Sequence, residues 1–200
     1  MNSKPQSPQE IPAAPRTDGQ VIHTPRMYAL IVWAVTRGRE KAFRKFVAEL
    51  AGLQPDESVL DVGCGTGTMA LVAREAVGAA GRVVGIEPSL EMVAAARRKA
   101  SRRGISVQIE PGVIERLDFP DRSFDAALCL IVLHHMPDAT KARGIHELAR
   151  VLKPGGRLVV VDSNLHLLPS FEQEGFVRVS AGPVAAVPGY DFTLWRLGGG

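Results

Sequence analysis

The sequence has few cysteines, no long apolar run and no extended block of like charge. Its two cysteines, Cys64 and Cys129, lack the spacing of a metal-binding knuckle. The longest apolar run near the N-terminus, Ala29–Val35, is far shorter than the roughly 20 residues that cross a bilayer, and the first residues lack the basic-then-apolar pattern of a signal peptide. These absences argue against a membrane span, and we expect a cytoplasmic protein.

Basic residues are in slight excess, with a formal net charge of +3. They are scattered apart from short clusters at 97–99 and 102–103, which we interpret as the solvated face of a helix and not as a nucleic-acid surface. With 200 residues, 46% of them hydrophobic, the chain is long enough for one globular domain with a sizeable core. The sequence leaves a monomer and a homodimer open.

The first 20 residues carry four prolines among Ser, Gln and Glu. This composition buries too little apolar surface to offset the entropy of ordering, so we predict a disordered tail over residues 1–20 and a single domain over residues 21–200. In residues 24–53 apolar residues recur at three- and four-residue spacing, which predicts N-terminal helices interrupted around Thr36–Gly38. The sheet core is expected over residues 56–197.

After Pro55, short apolar strands alternate with longer helical patterns. The predicted strands are Ser58–Val62, Arg82–Glu87, Ser106–Glu110, Phe124–Ile131 and Arg157–Asp162, and the predicted helices are Thr68–Val77, Leu90–Arg103 and Ala139–Leu152. Two last strands, Phe176–Ser180 and Phe192–Leu197, are close enough in sequence to pair as an antiparallel edge. This order predicts an α/β fold with a parallel sheet covered on both faces and a ligand at the carboxyl ends of the strands.

The stretch V-L-D-V-G-C-G-T-G, residues 59–67, is a glycine-rich turn between a predicted strand and a predicted helix. Such turns usually bind phosphate through backbone N–H groups, but a carboxylate such as Asp61 about 4 Å from a pyrophosphate would cost roughly 1–4 kcal/mol. Thr68 also stands where the dinucleotide fingerprint requires glycine. Glu87 ends the second strand and can accept hydrogen bonds from both hydroxyls of a ribose. S-adenosylmethionine (SAM), which has a ribose and a cationic amino-acid end but no phosphate, fits this pattern.

Four motifs occur in a recognisable order: VLDVGCGTG, VVGIEPSLEMVAAARRKA, FPDRSFDAALCLIVLHHMPD and ELARVLKPGGRLVVVD. Over roughly residues 40–180 the chain resembles the class I SAM-dependent methyltransferases, specifically the type 11 group of small-molecule enzymes that includes quinone-biosynthesis members. The resemblance implies a Rossmann-like, seven-stranded, mostly parallel sheet with helices on both faces, an antiparallel last strand and SAM at the carboxyl edge.

The resemblance also implies a cofactor site, in which Asp61 lies near the methionine amino group and Glu87 holds the ribose. Its expected members are Asp61, Gly63, Cys64, Gly65, Gly67, Glu87, Pro88, Val113, Ile114, Leu130 and Tyr28. One position departs from the family, which commonly has Asp where this chain has Val113. Valine cannot accept a hydrogen bond from the adenine amino group, a loss of roughly 0.5–1.5 kcal/mol, although the Ile114 N–H still serves a ring nitrogen.

Candidate catalytic residues follow the fourth strand, where His134 and His135 would face the methyl acceptor. Either could take a proton from the acceptor, since histidine titrates near neutrality, and the alternative is that the pair only caps the strand. Metal-dependent quinone methyltransferases place Glu where Ile131 falls, so we predict no metal. Because the link from Asp162 to Phe176 is short, we expect the N-terminal helices to roof the acceptor site, with Tyr28 and Trp33 as the covering side chains.

We therefore predict a SAM-dependent methyltransferase acting on a small lipophilic or aromatic acceptor. The first alternative is a SAM-binding protein with little or no catalytic activity, supported by Val113 and by the short acceptor cap. A NAD(P)-dependent oxidoreductase is a second alternative, which Asp61 and Thr68 disfavour.

Overall fold

The computed structural model describes residues 14–163 and 168–199, and the chain in these ranges folds into a seven-stranded sheet with helices on both faces. The strands are β1 (Ser58–Val62), β2 (Arg82–Glu87), β3 (Gln108–Pro111), β4 (Phe124–Leu130), β5 (Leu152–Asp162), β6 (Phe176–Pro183) and β7 (Asp191–Leu197). The helices are α1 (Pro25–Val35), α2 (Glu40–Leu50), α3 (Thr68–Val77), α4 (Leu90–Arg102), α5 (Asp138–Val151) and α6 (Leu168–Gln173).

The strand order across the sheet is β3-β2-β1-β4-β5-β7-β6. Strands β1 to β5 pair in parallel, and Leu60 in the centre lies opposite Val84 on one side and Ala127 on the other. β7 is antiparallel to both β5 and β6, which confirms the predicted antiparallel edge. The chain leaves β1 toward β2 and returns to β4 on the opposite side, so a crevice opens at the carboxyl ends of β1 and β4, where ligands bind in doubly wound folds.

The hydrophobic core lies in two layers, one on each face of the sheet. Strand residues alternate between the two layers, as Val59 and Leu60 show in β1. Helices α2, α3 and α4 pack on the first face, and α5 and α6 pack on the second, where Trp195 is fully buried. Burial on both faces explains why the central strands are apolar runs without polar alternation.

The predicted break between the first two helices occurs at residues 36–39. Pro25 begins α1, a position that has no intrahelical N–H bond to lose. At its end the Thr36 hydroxyl donates to the Val32 carbonyl at 2.7 Å, and Arg37 and Gly38 adopt left-handed φ angles of 49° and 74°. Two consecutive left-handed residues end the helix and turn the chain into α2.

The structure describes residues 14–20 of the predicted tail. Residues 1–13 lie outside the described ranges, but residues 17–20 lie against the domain: the Gln20 N–H donates to the His135 carbonyl at 2.9 Å, and Arg143 contacts the Asp18 carboxylate at 3.2 Å. Polar contacts therefore connect the end of the predicted tail to the domain.

The described part of the short link after β5 contains one short helix, α6. The leucines at 165 and 167 lie outside the described residues, whereas Phe171 is buried under the sheet. β5 begins five residues earlier than predicted, because Leu152 already pairs with Phe124 before an irregularity in the register.

Candidate functional site

A cavity of about 280 Å³ lies at the carboxyl ends of the central strands, roofed by α1 and by residues 17–22. Ten of the predicted site residues line it: Tyr28, Gly63, Gly65, Glu87, Pro88, Val113, Ile114, Leu130, His134 and His135. Asp61 is buried and is not among the described residues that line the cavity. Cys64 and Gly67, which belong to the glycine turn, are not among the described residues that line the cavity.

The glycine turn can form only with residues that lack a side chain. Gly63, Gly65 and Gly67 all have left-handed φ angles, of 64°, 54° and 77°. A Cβ on Gly63 would lie 2.5 Å from the Val132 side chain, and one on Gly65 would lie 3.2 Å from the Tyr28 hydroxyl. The turn therefore brings the backbone to the cavity wall and leaves room above it for Tyr28.

Glu87 connects the end of β2 to this turn. Its carboxylate accepts from the Gly65 N–H and from the Ser89 N–H, each at 3.0 Å. Burial raises the pKa of Glu87, while the two amide donors lower it. Each carboxylate oxygen retains a second acceptor site, so the group can still accept two hydroxyl donors from the cavity.

Asp61 is a buried carboxylate with an incomplete set of partners. It is 2% exposed, and its Oδ2 has no hydrogen-bond partner among the described residues. Burial raises the pKa of Asp61 to about 7, with a smaller opposing contribution from Arg44. An unpartnered buried carboxylate is unfavourable, so this position favours a cation or a proton.

Arg44 is a site residue that the sequence prediction missed. It lines the cavity from α2, is 5% exposed, and its Nε has no hydrogen-bond partner among the described residues. Its Nη2 lies 3.6 Å from the Glu40 carboxylate. The sequence does contain a signal for Arg44, because position 44 lies on the same buried side of α2 as Val47 and Ala48. An arginine is almost never buried without a charged partner, so its presence there indicates a site.

Residues 112–115, which follow β3, form another part of the cavity wall, and Glu115 in this segment has a buried Oε2 without a hydrogen-bond partner among the described residues. Val113 and Ile114 are buried there beside Met92, and the backbone of Gly112 packs against Ile86. A flat apolar group fits between such side chains. The side chain of Val113 has no hydrogen-bond acceptor, as expected for valine.

His134 is held by a carboxylate that sequence reasoning did not identify. Its Nδ1 lies 3.0 Å from Oδ1 of Asp162, the buried last residue of β5. The other oxygen, Oδ2, accepts from the Leu133 N–H at 2.9 Å and from the His134 N–H at 3.3 Å. This arrangement fixes the imidazole with Nδ1 toward the carboxylate, which leaves Nε2 as the free nitrogen.

His135 lies beside it, with a ring-centroid distance of 3.8 Å. Burial lowers the pKa of His135, and the neighbouring His134 lowers it further. Its backbone carbonyl accepts from the Gln20 N–H, so this residue also anchors the segment that roofs the cavity. Tyr190 also lies near His134, with 6.2 Å between the ring centroids.

Ile131 turns the chain from β4 into the cavity wall. Its φ angle is 61°, a conformation that β-branched residues rarely adopt and that costs on the order of 1–3 kcal/mol. Its N–H donates to the Val161 carbonyl at 2.7 Å, which holds the strained residue in place. Within residues 14–163 and 168–199, no group of three or more His, Cys, Asp or Glu side chains is arranged to hold a metal ion.

The two side chains predicted to roof the site lie in different surroundings. Tyr28 covers the glycine turn, and burial raises the pKa of its hydroxyl. Trp33 is 63% exposed, packs over Gly38 and does not line the cavity, so its predicted role is wrong. Trp33 lies five residues from Tyr28, which places it on another side of α1. No helix in the described part of the chain is long and apolar enough to span a bilayer.

Comparison with known proteins agrees with this geometry. Residues 59–156 match the methyltransferase domain family. A demethylmenaquinone methyltransferase of Thermus thermophilus is 38% identical over 135 residues, which are 68% of this chain and 60% of that protein. Among solved structures, the cyclase SpnF has a TM-score of 0.72 and 25% identity, covering 80% of this chain and 82% of its own. A SAM-dependent methyltransferase from Aquifex aeolicus has a TM-score of 0.70 and 22% identity, covering 86% and 97%.

The chain spans between 42% and 63% of the length of the first three curated relatives that it matches. The match runs from β1 to the first residues of β5 and includes both the glycine turn and the His134 segment. Over residues 59–156 the chain therefore belongs to the methyltransferase domain family, and its fold is similar to those of SpnF and of the Aquifex aeolicus methyltransferase.

Proposed function

We propose that this protein binds SAM in the cavity and transfers its methyl group to a small, lipophilic, ring-containing acceptor. The observation that carries the proposal is the unpartnered oxygen of Asp61, buried beside a glycine turn and next to a strand that ends in Glu87. A site with this charge disfavours the pyrophosphate of a dinucleotide.

The charged groups of the site match the two charges of an amino acid. Asp61 lacks one hydrogen-bond partner and would accept from an ammonium group. Arg44 has a free Nε at the same cavity and would donate to a carboxylate. The methionine end of SAM carries both groups, so its binding would satisfy both buried atoms.

The remaining parts of the cofactor have corresponding surfaces. Glu87 keeps two acceptor sites after its bonds to Gly65 and Ser89, which suits the two ribose hydroxyls. The slot at Val113 and Ile114 suits the adenine ring by apolar contact, and the Ile114 N–H can donate to a ring nitrogen.

When bound, SAM supplies a methyl group on a sulfonium, already activated for transfer. The protein then has to exclude water, align the acceptor and remove a proton. His134 is suited to the last task, because Asp162 orients its ring and would stabilise the cation formed on proton uptake. The apolar lining from Ile31, Val32 and Val35 suits a lipophilic acceptor.

The relative from Thermus thermophilus supports this acceptor class, since its name specifies demethylmenaquinone, a lipophilic quinone. The cyclase SpnF shares the fold, so fold alone does not establish methyl transfer. The test must therefore separate cofactor binding from turnover.

Calorimetry with SAM, S-adenosylhomocysteine and NADH tests the binding step. We expect both adenosyl ligands to bind and NADH not to bind, and NADH binding in preference to SAM would overturn the proposal. Turnover is then followed by mass spectrometry with demethylmenaquinone analogues that carry short side chains. SAM binding without transfer to any quinone or phenol acceptor would leave the alternative of a SAM-binding protein that is not a methyltransferase of this acceptor class.

A further inference from the structure

The helix that roofs the cavity exposes an unusual number of large apolar side chains. On α1, Met27 is 59% exposed, Leu30 64%, Ile31 50% and Trp33 63%, and only Val32 is buried. Single exposed apolar residues are ordinary on a protein surface, but four on one short helix form a patch that marks an interaction surface.

This patch continues into the cavity. Ile31 and Val35 are exposed and also line the cavity. An apolar molecule leaving the patch would therefore remain in contact with apolar side chains until it reached the site. That continuity is unlike the isolated apolar pair on β6, Val177 and Val179, neither of which lines the cavity.

Cations flank the patch on the side of α4. A groove between α1 and α4 is lined by Arg26, Arg98, Lys99, Arg102 and Arg103, and the described residues that line it include no acid. The four arginines form no ion pair within the described part of the chain.

The neighbouring acids are already paired with other residues. The Glu91 carboxylate lies 3.1 Å from His23, and Glu40 contacts Arg44. Beyond the C-terminal end of α1, Arg37, Arg39 and Lys41 are also exposed. The patch thus combines apolar side chains with uncompensated positive charge on two sides.

We propose that α1, together with the basic edge of α4, docks this protein on the surface of an anionic membrane. An apolar helix face flanked by arginines and lysines suits the boundary between anionic headgroups and acyl chains. With 11 residues, α1 is too short to span a bilayer and would lie in its plane. The cavity would then open toward the lipid, from which a lipophilic molecule enters without crossing water.

Intrinsic fluorescence tests the docking without SAM or acceptor, so the result does not depend on the proposed methyl transfer. The chain has two tryptophans, the exposed Trp33 and the fully buried Trp195, and only Trp33 can change its environment on docking. We expect a blue shift with phosphatidylcholine vesicles that contain about 30% phosphatidylglycerol, and none with pure phosphatidylcholine. The Trp33→Phe variant should lose the shift while still sedimenting with the vesicles.

Surface variants identify the docking face. Leu30→Ser should weaken vesicle binding about tenfold or more, as expected for an apolar side chain removed from the interface. Arg98→Gln with Arg102→Gln should weaken it about 25-fold and reduce its salt dependence, at about fivefold per cation. Val177→Ser with Val179→Ser, two exposed apolar residues on β6, is the matched control and should bind like the parent.

Three results would overturn the proposal. They are equal binding to anionic and neutral vesicles, unchanged binding of the Leu30 and arginine variants, and concentration-dependent dimerisation through α1 in the absence of vesicle binding. The last result would assign the patch to a second copy of this chain.

Discussion

Proton release on cofactor binding is the sharpest consequence of the Asp61 geometry. In the free protein, burial raises the pKa of this carboxyl to about 7, so near neutrality the group is partly protonated. An ammonium group bound at Oδ2 favours the ionised form. SAM binding should therefore expel the proton, and acidification should weaken binding.

The magnitude follows from linkage. If the bound state holds Asp61 ionised, the observed dissociation constant scales with one plus the ratio of protonated to ionised Asp61 in the free protein. Between about pH 5.5 and 7.5 the affinity should then increase about 25-fold, with about 0.9 proton released per SAM at pH 6 and about 0.25 at pH 7.5. The range ends at pH 7.5 because the α-amino group of the ligand titrates near pH 8.

Isothermal titration calorimetry measures both quantities. Proton release is obtained from the dependence of the binding enthalpy on the ionisation enthalpy of the buffer, at three pH values. Asp61→Asn is the control, because it keeps the shape of the side chain and removes its titration. A parent protein whose SAM affinity does not change over this range, or an Asn variant with the same pH slope as the parent, would refute the assignment of Asp61 to the ammonium site.

The raised pKa of Asp61 also affects the stability of the protein in the absence of ligand. Because the folded pKa of Asp61 lies above its unfolded value, its contribution to stability is fully present below about pH 4 and is lost as the pH rises toward 7. Asp61→Asn should therefore melt at a higher temperature than the parent at pH 7.5, although it binds SAM more weakly. Stability and binding would move in opposite directions, which a general folding defect cannot produce.

Other parts of the site give separate expectations. Glu87→Ala should weaken SAM binding by roughly 1–3 kcal/mol in calorimetry, because it removes acceptors for two hydroxyl donors, and equal affinity would remove Glu87 from the site. Val113→Asp should tighten SAM binding by about 1 kcal/mol if the adenine amino group lacks a partner in the parent protein. A folded variant with unchanged affinity would show that the amino group already has a partner. His134→Asn should lower kcat about 10²- to 10⁴-fold with SAM affinity unchanged, and a kcat equal to that of the parent would restrict His134 to a structural role.

The central sheet was predictable because its signals are local. Strands β1 and β2 begin and end as predicted, since each is an apolar run bounded by a turn, and the glycine turn after β1 has a fixed spacing. The alternation of strand and helix then restricts the topology to a few solutions. The order of β7 between β5 and β6 was not read from the sequence, because it depends on which edge the last hairpin covers.

The features that were missed depend on packing between distant segments. Arg44 is 17 residues from Asp61 in sequence and on a different element, and nothing local reveals that Arg44 lines the cavity or that its charge acts on Asp61. Trp33 resembles a core residue by composition, but α1 contacts the domain through a narrow side that includes Val32 and Tyr28. Whether an apolar helix is buried depends on what packs against it, and the sequence of the helix alone does not contain this information.

The proposed catalytic pair, His134 and Asp162, also shows which features the sequence predicts and which it does not. The sequence places His134 after β4 and Asp162 at the end of β5, and parallel strands bring those ends to one edge of the sheet. What the sequence does not reveal is the turn at Ile131, whose left-handed φ angle redirects the chain after β4 into the cavity wall. Asp162 accepts from the backbone N–H groups of Leu133 and His134 and contacts the imidazole through its other oxygen, so one buried carboxylate both holds this turn and orients the ring.

Replacing Asp162 with Asn would leave one oxygen for the two N–H groups and place an amide, which does not stabilise a cation, beside Nδ1 of His134. The variant should therefore fold and bind SAM as tightly as the parent but lose turnover. A measured kcat equal to that of the parent would show that the His134 imidazole needs no charged partner.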